Sequence, residues 1–305
     1  VGPGAVGATL AASLLGSGLR VVLVGREGPR LRSLRREGLS YAGVSGRARI
    51  LRDLEFAGSE APRGNCEALF LCVKSRDIPA ALRSAAPLAG PKTAVVSLLN
   101  GIDHAAPILR AFGRRRTVLG SCYFAAMRPT PGSVRLTGRG PVALSRSEAN
   151  PAALAAAARL LRGAGWGVRR APSARRLLWT KAAFNAALNP IGALALKTNG
   201  ELAKSAGLRE LLGAAGREAF SLMRAQGIEP LTRRPERTLL AGCRRAPDQV
   251  NSMAQDLASR RRTEARDILG PFVRAARRTG REAPVLSMLL RILDRVEKEL
   301  GCSSR

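Results

Sequence analysis

The sequence is poor in aromatic and acidic side chains and has no long apolar run. Only 4% of its residues are aromatic, and the 22 acidic residues stand against 51 cationic ones. No uninterrupted apolar stretch approaches the ~20 residues that a membrane-spanning helix needs, so we expect no membrane partner. The five cysteines form no Cys-x-x-Cys pair, and no signal peptide is predicted. Both features indicate a reducing, cytoplasmic location and no disulfide framework.

The excess of positive charge is large but evenly spread. The formal net charge is +29, with 26 Lys and Arg against 9 Asp and Glu in residues 1–172 and 25 against 13 in residues 173–305. There is no basic tail, and the scarcity of aromatics argues against a surface that stacks single-stranded bases. We therefore expect no dedicated nucleic-acid partner, although a cationic surface binds phosphates weakly. Only six of the cations are Lys.

Short apolar strands alternate with helices up to about residue 172. The stretches "LRVVLVGR", "EALFLCVKS" and "TAVVSLLNG" read as buried strands separated by helical segments, which predicts a doubly wound, largely parallel α/β domain over residues 1–172. The segment "GSVRLTGRGPVALSR" predicts a hairpin through Gly138 and Gly140. From Ser173 onward only helical patterns remain, so residues 173–305 are predicted to form an all-α domain.

The opening glycines predict a dinucleotide site. Gly2, Gly4 and Gly7 form G-x-G-x-x-G at the start of a helix, a spacing that allows a tight turn and close approach of a pyrophosphate to the helix N-terminus. At the end of the following strand, where an NAD site carries an acid, the chain has Gly25 and then Arg26. Arg26 can bind a 2′-phosphate with two parallel hydrogen bonds, which favours NADP. A glycine turn without ligand and an ordinary surface Arg are the alternatives.

The dinucleotide motif also calls for a strand before the glycine turn. Only Val1 precedes it. The expectation at this point is a first strand that is truncated in this sequence, or a sheet that has lost most of that strand.

A polar stripe interrupts the apolar helix "LLWTKAAFNAALNP". Lys181, Asn185 and Asn189 are spaced four residues apart, which places them on one helical face. An ammonium at such a position can stabilise negative charge on a bound molecule and deliver a proton to it. A desolvated Lys exchanges a proton more readily than Arg does. The alternative is a Lys–Asn–Asn set that caps a buried polar pocket without catalysis.

These residues occur in a series of motifs that runs almost end to end. The chain resembles the ketopantoate reductases (2-dehydropantoate 2-reductases). The resemblance rests on "GPGAVG", "GR" at Arg26, "CVKS" at Lys74, "LLNG" at Asn100, "GSCYFAA" ending at Ala125, "WTKAAFNAALNP", "TNGEL" at Asn199, "NSMAQDL" at Ser252 and "RRTEARDILG" at Glu264. The K-x3-N-x3-N-P and S-x11-E spacings are more specific than the glycine motif.

The resemblance implies a fold and a reaction. The fold would be a Rossmann N-terminal domain followed by a helical C-terminal domain like that of 6-phosphogluconate dehydrogenase, with the active site in the cleft between them. The reaction would be NADPH-dependent reduction of 2-dehydropantoate to pantoate, in pantothenate and coenzyme A biosynthesis, without a metal. A small 2-oxo acid would be the partner, and a homodimer is left open.

The resemblance also assigns roles to single residues. Lys181 would be the general acid, and His104, the only histidine, would be incidental. The substrate would contact Asn100, Asn185, Asn189, Asn199 and Ser252. The cofactor would contact Gly2, Pro3, Gly4, Ala5, Val6, Gly7, Arg26, Lys74, Asn100, Ala125 and Glu264. Thr263 can cap the helix that Glu264 begins, which would fix Glu264 near a positive helix end.

Two other functions stay open on the sequence alone. A related NADP-dependent reductase of another 2-oxo acid would carry the same residues and differ only in its pocket lining. A non-catalytic NADPH-binding or nucleic-acid-binding protein would keep the fold without turnover. The complete set of one ammonium and several amides argues against the second alternative but does not separate the first from ketopantoate reduction.

Overall fold

A computed structural model describes residues 1–58 and 66–303. The chain forms two compact units. The first comprises Val1–Leu99 and His104–Ala174, and the second comprises Asn100–Asp103 and Arg175–Arg305. Four residues that follow a strand of the first unit, 100–103, thus belong with the second.

The first unit alternates strands and helices. Its elements in chain order are α1 Ala5–Leu15, β1 Val22–Val24, α2 Pro29–Glu37, β2 Leu39–Ala42, β3 Arg49–Leu51, β4 Glu55–Ala57, β5 Ala68–Leu71, α3 Ile78–Ala85, β6 Ala94–Ser97, α4 Ala105–Phe112, β7 Thr117–Cys122, β8 Ala125–Met127, β9 Ser133–Gly138, β10 Val142–Ser145, α5 Pro151–Gly163 and β11 Val168–Ala171. Two 3-10 turns, Ser75–Asp77 and Ala86–Leu88, flank α3.

The main sheet has a parallel centre. Its strand order is β11-β10-β7-β6-β5, with β5, β6 and β7 parallel and β10 antiparallel to β7. Val95 and Val96 on β6 are completely buried, as expected for a strand covered on both faces. A parallel pair, β1 and β4, lies beside this sheet. The Rossmann-like α/β fold predicted for the N-terminal part is therefore confirmed.

The first residues of the chain connect that strand pair to the main sheet. The Val1 amino group donates to the Phe70 carbonyl (2.7 Å), and the Cys72 N–H donates to the Val1 carbonyl (2.9 Å). On the other side, the Gly2 N–H donates to the Val24 carbonyl (2.8 Å). The backbone at residues 1 and 2 thus occupies one end of a position between β1 and β5.

The rest of that position is a cavity of about 520 Å³. Its walls are mainly apolar side chains of α1, β1 and β5, among them Leu10, Leu14 and Leu69. Neighbouring residues of a strand direct their backbone N–H and C=O groups to opposite sides. The backbone groups on the cavity side are therefore those of residues 22 and 24 of β1 and of residues 68 and 70 of β5. It lies where the dinucleotide motif calls for a strand before the glycine turn.

The predicted hairpin through Gly138 and Gly140 is wrong. β9 pairs with β2 and β8 in a separate sheet of order β3-β2-β9-β8, whereas β10 lies between β7 and β11. A Cβ at Gly140 would lie 2.0 Å from the carbonyl oxygen of Tyr123, so the chain crosses closely over the β7–β8 connection as it leaves one sheet for the other. β9 pairs with the strand directly before it, β8, and with the distant β2. The alternation of apolar and polar residues does not reveal which strands pair.

The second unit is helical, which confirms the all-α prediction. Its helices are α6 Ala174–Ala195, α7 Asn199–Lys204, α8 Ala206–Ala225, α9 Pro235–Arg245, α10 Ser252–Ala258, α11 Ala265–Arg278 and α12 Pro284–Glu299. Trp179 of α6 packs edge-on against Phe272 of α11, with ring centroids 5.2 Å apart. Within residues 1–58 and 66–303, no helix combines the length and apolarity needed to cross a membrane.

Candidate active site

The glycine turn forms an open helix N-terminus in the first unit. Gly2 has φ +99°, and a Cβ there would lie 2.8 Å from the Cys72 carbonyl oxygen. A Cβ at Gly7 would lie 2.1 Å from the carbonyl oxygen of Gly2, so only glycine lets α1 pack this closely on the turn. Gly4 precedes α1 without any side-chain cap, which leaves the first N–H groups of α1 available to an anion. The same turn contains three further predicted residues, Pro3, Ala5 and Val6.

Arg26 lies just past the end of β1, next to this turn. A Cβ at Gly25 would lie 2.8 Å from the Pro3 ring, which shows how closely the two segments approach. The exposed guanidinium of Arg26 has its Nη1 3.4 Å from Oδ1 of Asp77. The neighbouring acid, Glu27, is bound by both terminal nitrogens of Arg35 at 2.8 and 3.1 Å. Sequence reasoning identified Arg26 and missed Asp77.

Lys74 and Ala125 lie at other points of the first unit. Half-buried Lys74 follows β5 and precedes the 3-10 turn Ser75–Asp77. It is two residues from Cys72, whose backbone bonds to Val1, so Lys74 belongs to the same strand end as the glycine turn. Half-buried Ala125 begins β8 in the four-stranded sheet. It lies three residues after the carboxyl end of β7, which is parallel to β6 and β5, so it follows the same edge of the main sheet as Lys74.

In the second unit, Asn100 is fixed against the start of α11. Its Nδ2 donates to Oε2 of Glu264 (3.1 Å). Gly101 has φ +81°, and a Cβ there would lie 2.8 Å from the Asp267 carbonyl oxygen. Asp267 lies four residues before Pro271, which has no N–H to offer that carbonyl. Gly101 can therefore approach α11 closely, and two of the predicted site residues, Asn100 and Glu264, are brought together.

Glu264 is itself held by its neighbours. The hydroxyl of Thr263 accepts from the Ala265 N–H (3.1 Å). The predicted Thr263 cap is nevertheless wrong, because α11 begins at Ala265, so that Glu264 occupies the N-cap position, and no side chain caps the helix. The Thr263 N–H donates to Oε1 of Glu297 on α12 (2.9 Å), and the Thr263 hydroxyl donates to the same oxygen. Only 8% of Glu264 is exposed, so its carboxylate has a restricted position.

The polar stripe lies on α6 as the spacing predicts. Asn185 and Asn189 are 8% and 5% exposed, and Lys181 is half-buried. In the part of the chain that the structure describes, no side-chain atom of Asn185 or Asn189 is among the fully buried atoms that have no hydrogen-bonding partner, so the fold itself tolerates both amides. The stripe presents one ammonium and two carboxamides on a single helical face, an arrangement that can bind a polar ligand.

The start of α7 and the start of α10 meet this helix at Gly192. A Cβ there would lie 2.4 Å from Nδ2 of Asn251 and 3.2 Å from a methyl of Leu202. Asn251 caps α10, its Oδ1 accepting from the Ala254 N–H (3.0 Å). This contact places exposed Ser252, the first residue of α10, close to α6.

Asn199 joins the same region through its backbone, which donates to the Gln249 carbonyl (3.0 Å). Oδ1 of Asn199 and Nδ2 of Asn251 are buried without partners. Sequence reasoning predicted Asn199 and missed Asn251. The available signal was local, an Asn directly before a short helical segment.

Both parts of the chain match one known family. Residues 1–149 match the family described as ketopantoate reductase PanE/ApbA, and residues 173–297 match the C-terminal part of the same family. The chain is 29% identical over 289 residues to the 2-dehydropantoate 2-reductase of Halobacterium salinarum, covering 94% of each protein. It is 30% identical over 295 residues to the one of Caulobacter vibrioides, covering 96% of this chain and 97% of that protein.

Solved structures agree in fold over nearly the whole chain. The PanE/ApbA family ketopantoate reductase from Ralstonia eutropha has a TM-score of 0.85 at 25% identity and 98% coverage of both chains. D-mandelate dehydrogenase with NADH and anilino(oxo)acetate has a TM-score of 0.90 at 22% identity, covering 99% of this chain and 98% of that one. With both family segments matched and the fold shared, the chain belongs to the ketopantoate reductase family, a family of oxidoreductases.

Proposed function

We propose that this protein reduces 2-dehydropantoate to pantoate with NADPH, a step of pantothenate and coenzyme A biosynthesis. The observation that carries the proposal is the row of Lys181, Asn185 and Asn189 on α6, two buried amides beside one half-buried ammonium. The curated relatives named 2-dehydropantoate 2-reductase support the choice of substrate.

The residues of the first unit suit a nicotinamide dinucleotide. The first turn of α1, which no side chain caps, can bind the pyrophosphate through N–H groups, and Gly2 and Gly7 allow the close approach that this requires. Arg26 and Lys74 supply positive charge at the ends of β1 and β5, which suits the 2′-phosphate of NADP. When bound, the cofactor supplies the hydride. Ala125 is proposed to contribute a backbone contact, and Glu264 to bind a ribose hydroxyl.

The residues of the second unit suit the carbonyl of a 2-oxo acid. As the hydride arrives, negative charge develops on the carbonyl oxygen, and Nζ of Lys181 stabilises that charge and transfers a proton to it. The amides of Asn185, Asn189 and Asn199 and the hydroxyl of Ser252 can orient the carboxylate and a distal hydroxyl without adding fixed charge. Asn100, held by Glu264, is proposed to contact substrate and cofactor.

A second candidate is reduction of a different 2-oxo acid. D-mandelate dehydrogenase, whose structure contains NADH, shares the fold over almost all of this chain. Another 2-oxo acid would present the same carbonyl and carboxylate to the Lys–Asn–Asn row, and only the contact with a distal hydroxyl would differ. A homodimer stays a prediction for this protein. One structural relative, the ketopantoate reductase from Staphylococcus aureus, is described as dimeric, which supports it.

The test of the proposed function is steady-state kinetics on the parent protein and three variants. With NADPH and a panel of 2-oxo acids, 2-dehydropantoate should give the highest kcat/KM. Lys181→Ala should lower kcat by about 10²–10⁴, which is the usual contribution of a positioned acid. Lys181→Arg should restore little, because guanidinium does not readily give up a proton. Lys204→Ala, which removes an exposed ammonium at the end of α7, is the matched control.

Two results would contradict the proposal. Near-parent turnover by Lys181→Arg would reduce Lys181 to an electrostatic anchor and leave another group as the acid. A clear preference for a different 2-oxo acid would favour the second candidate and leave the catalytic assignment intact.

A further inference from the structure

The cation proposed to bind the cofactor phosphate already has an anionic neighbour. Nη1 of Arg26 lies 3.4 Å from Oδ1 of Asp77, a longer separation than the 2.7–2.9 Å typical of a charge-assisted hydrogen bond. The Arg26 side chain is 69% exposed, whereas that of Asp77 is 25% exposed. The carboxylate is therefore the more fixed partner, and the guanidinium is the one that can move to a ligand.

Asp77 has no local structural use that would explain its orientation. It occupies the N-cap position of α3, where an Asp side chain ordinarily accepts from the helix backbone, but it makes no such bond. Glu27, the other acid near Arg26 in sequence, is bound by Arg35. Across residues 1–58 and 66–303, Asp77 is the one acid paired with Arg26.

We propose that Asp77 sets the cofactor preference of this protein by competing with the 2′-phosphate for Arg26. The inference rests on the proposed function, since it requires a nicotinamide dinucleotide at the glycine turn. A 2′-phosphate that binds Arg26 must displace a carboxylate and then lie near it with like charge. NADH, which has a hydroxyl at this point, incurs neither cost. Asp77 thus reduces the discrimination in favour of NADPH that Arg26 provides.

The test is a fluorescence titration of the parent and its variants with NADPH and with NADH, without substrate. Asp77→Asn keeps the size of the side chain and removes its charge. NADPH should bind about 3–10-fold more tightly to Asp77→Asn, in keeping with the small free energy of an exposed ion pair, while the Kd for NADH changes by less than about two-fold. The gain should shrink in 0.5 M salt, because these charges are solvent-accessible.

Two further variants make the test specific. Glu67→Gln also removes an acid paired with an Arg, Arg159, but Glu67 lies at the opposite end of β5, so this control should leave both Kd values unchanged. In an Arg26→Ala background, Asp77→Asn can no longer free the guanidinium for the phosphate. The gain in NADPH affinity should then be smaller, because only the repulsion between phosphate and carboxylate is removed.

Weaker NADPH binding by Asp77→Asn would overturn the inference, because it would show that Asp77 orients Arg26 for the phosphate and does not compete with it. Equal tightening of NADPH and NADH, or no change in either, would overturn it as well. Binding of neither cofactor to the parent would overturn the proposed function together with this inference. A parent that binds and uses NADPH, with an Asp77→Asn variant indistinguishable from it, would overturn the inference alone.

Discussion

Glu201 shows how one exposed side chain can make the fold sensitive to pH. Its pKa falls to about 2, chiefly because Lys197 donates to its carboxylate and next because the Thr198 N–H does. The Thr198 hydroxyl accepts from the Glu201 N–H in return, which completes a capping box at the start of α7. Asn199 follows Thr198 directly, so this box also orders a residue of the candidate site.

A carboxyl pKa that is lower in the folded state than in the unfolded state means that the charged form stabilises the fold. The Glu201 charge contributes its full stability above the ordinary carboxyl pKa of 4.5, and that contribution is lost as the pH falls from about 4.5 through about 2. Glu201→Gln should therefore have a lower Tm than the parent at pH 7, and the difference should vanish near pH 2. Thermal melts from pH 7 to pH 2 measure it. Glu210→Gln on α8, where the acid is also exposed, is the control. A difference that persists at pH 2 would contradict the assignment.

Single residues of the candidate site were predictable where a local motif carried them. The four-residue spacing of Lys181, Asn185 and Asn189 specifies a shared helical face whatever the tertiary structure. Asp77 was missed because its contact with Arg26 joins segments about 50 positions apart. The capping position of Asn251 was readable locally, but its contact with Gly192, 59 positions away, was not. No spacing rule within one helix or strand reports such pairs.

Among the elements, the sequence predicts the strands better than it predicts how they pair. Buried runs such as β5 and β6 were predicted because their apolar residues are continuous. The pairing of β9 and β10 was not, because strand partners are set by the register and closure of the whole sheet, and a short glycine-rich connection between two strands fits a crossover as well as a hairpin. The helices of the second unit required no such long-range information.

For the molecule as a whole, the positive charge exceeds what internal pairing can neutralise. Even if each of the 22 acids paired with one cation, 29 of the 51 Lys and Arg would have no acidic partner. Basic residues outnumber acidic ones in both halves of the chain, so the field is not concentrated in one arm. A diffuse cationic surface attracts polyanions without reading their sequence.

Duplex DNA should accordingly bind weakly and without sequence preference. We expect a Kd of about 10⁻⁴–10⁻⁶ M at physiological salt, and a steep loss of affinity between 50 and 200 mM salt as counterions are released. Fluorescence anisotropy with two unrelated duplexes of equal length, over a salt series, measures both quantities. The two duplexes serve as controls for each other and should give the same salt slope. Tight binding to one duplex that persists at 150 mM salt would show a built nucleic-acid site, and the reductase would then have a second activity to explain.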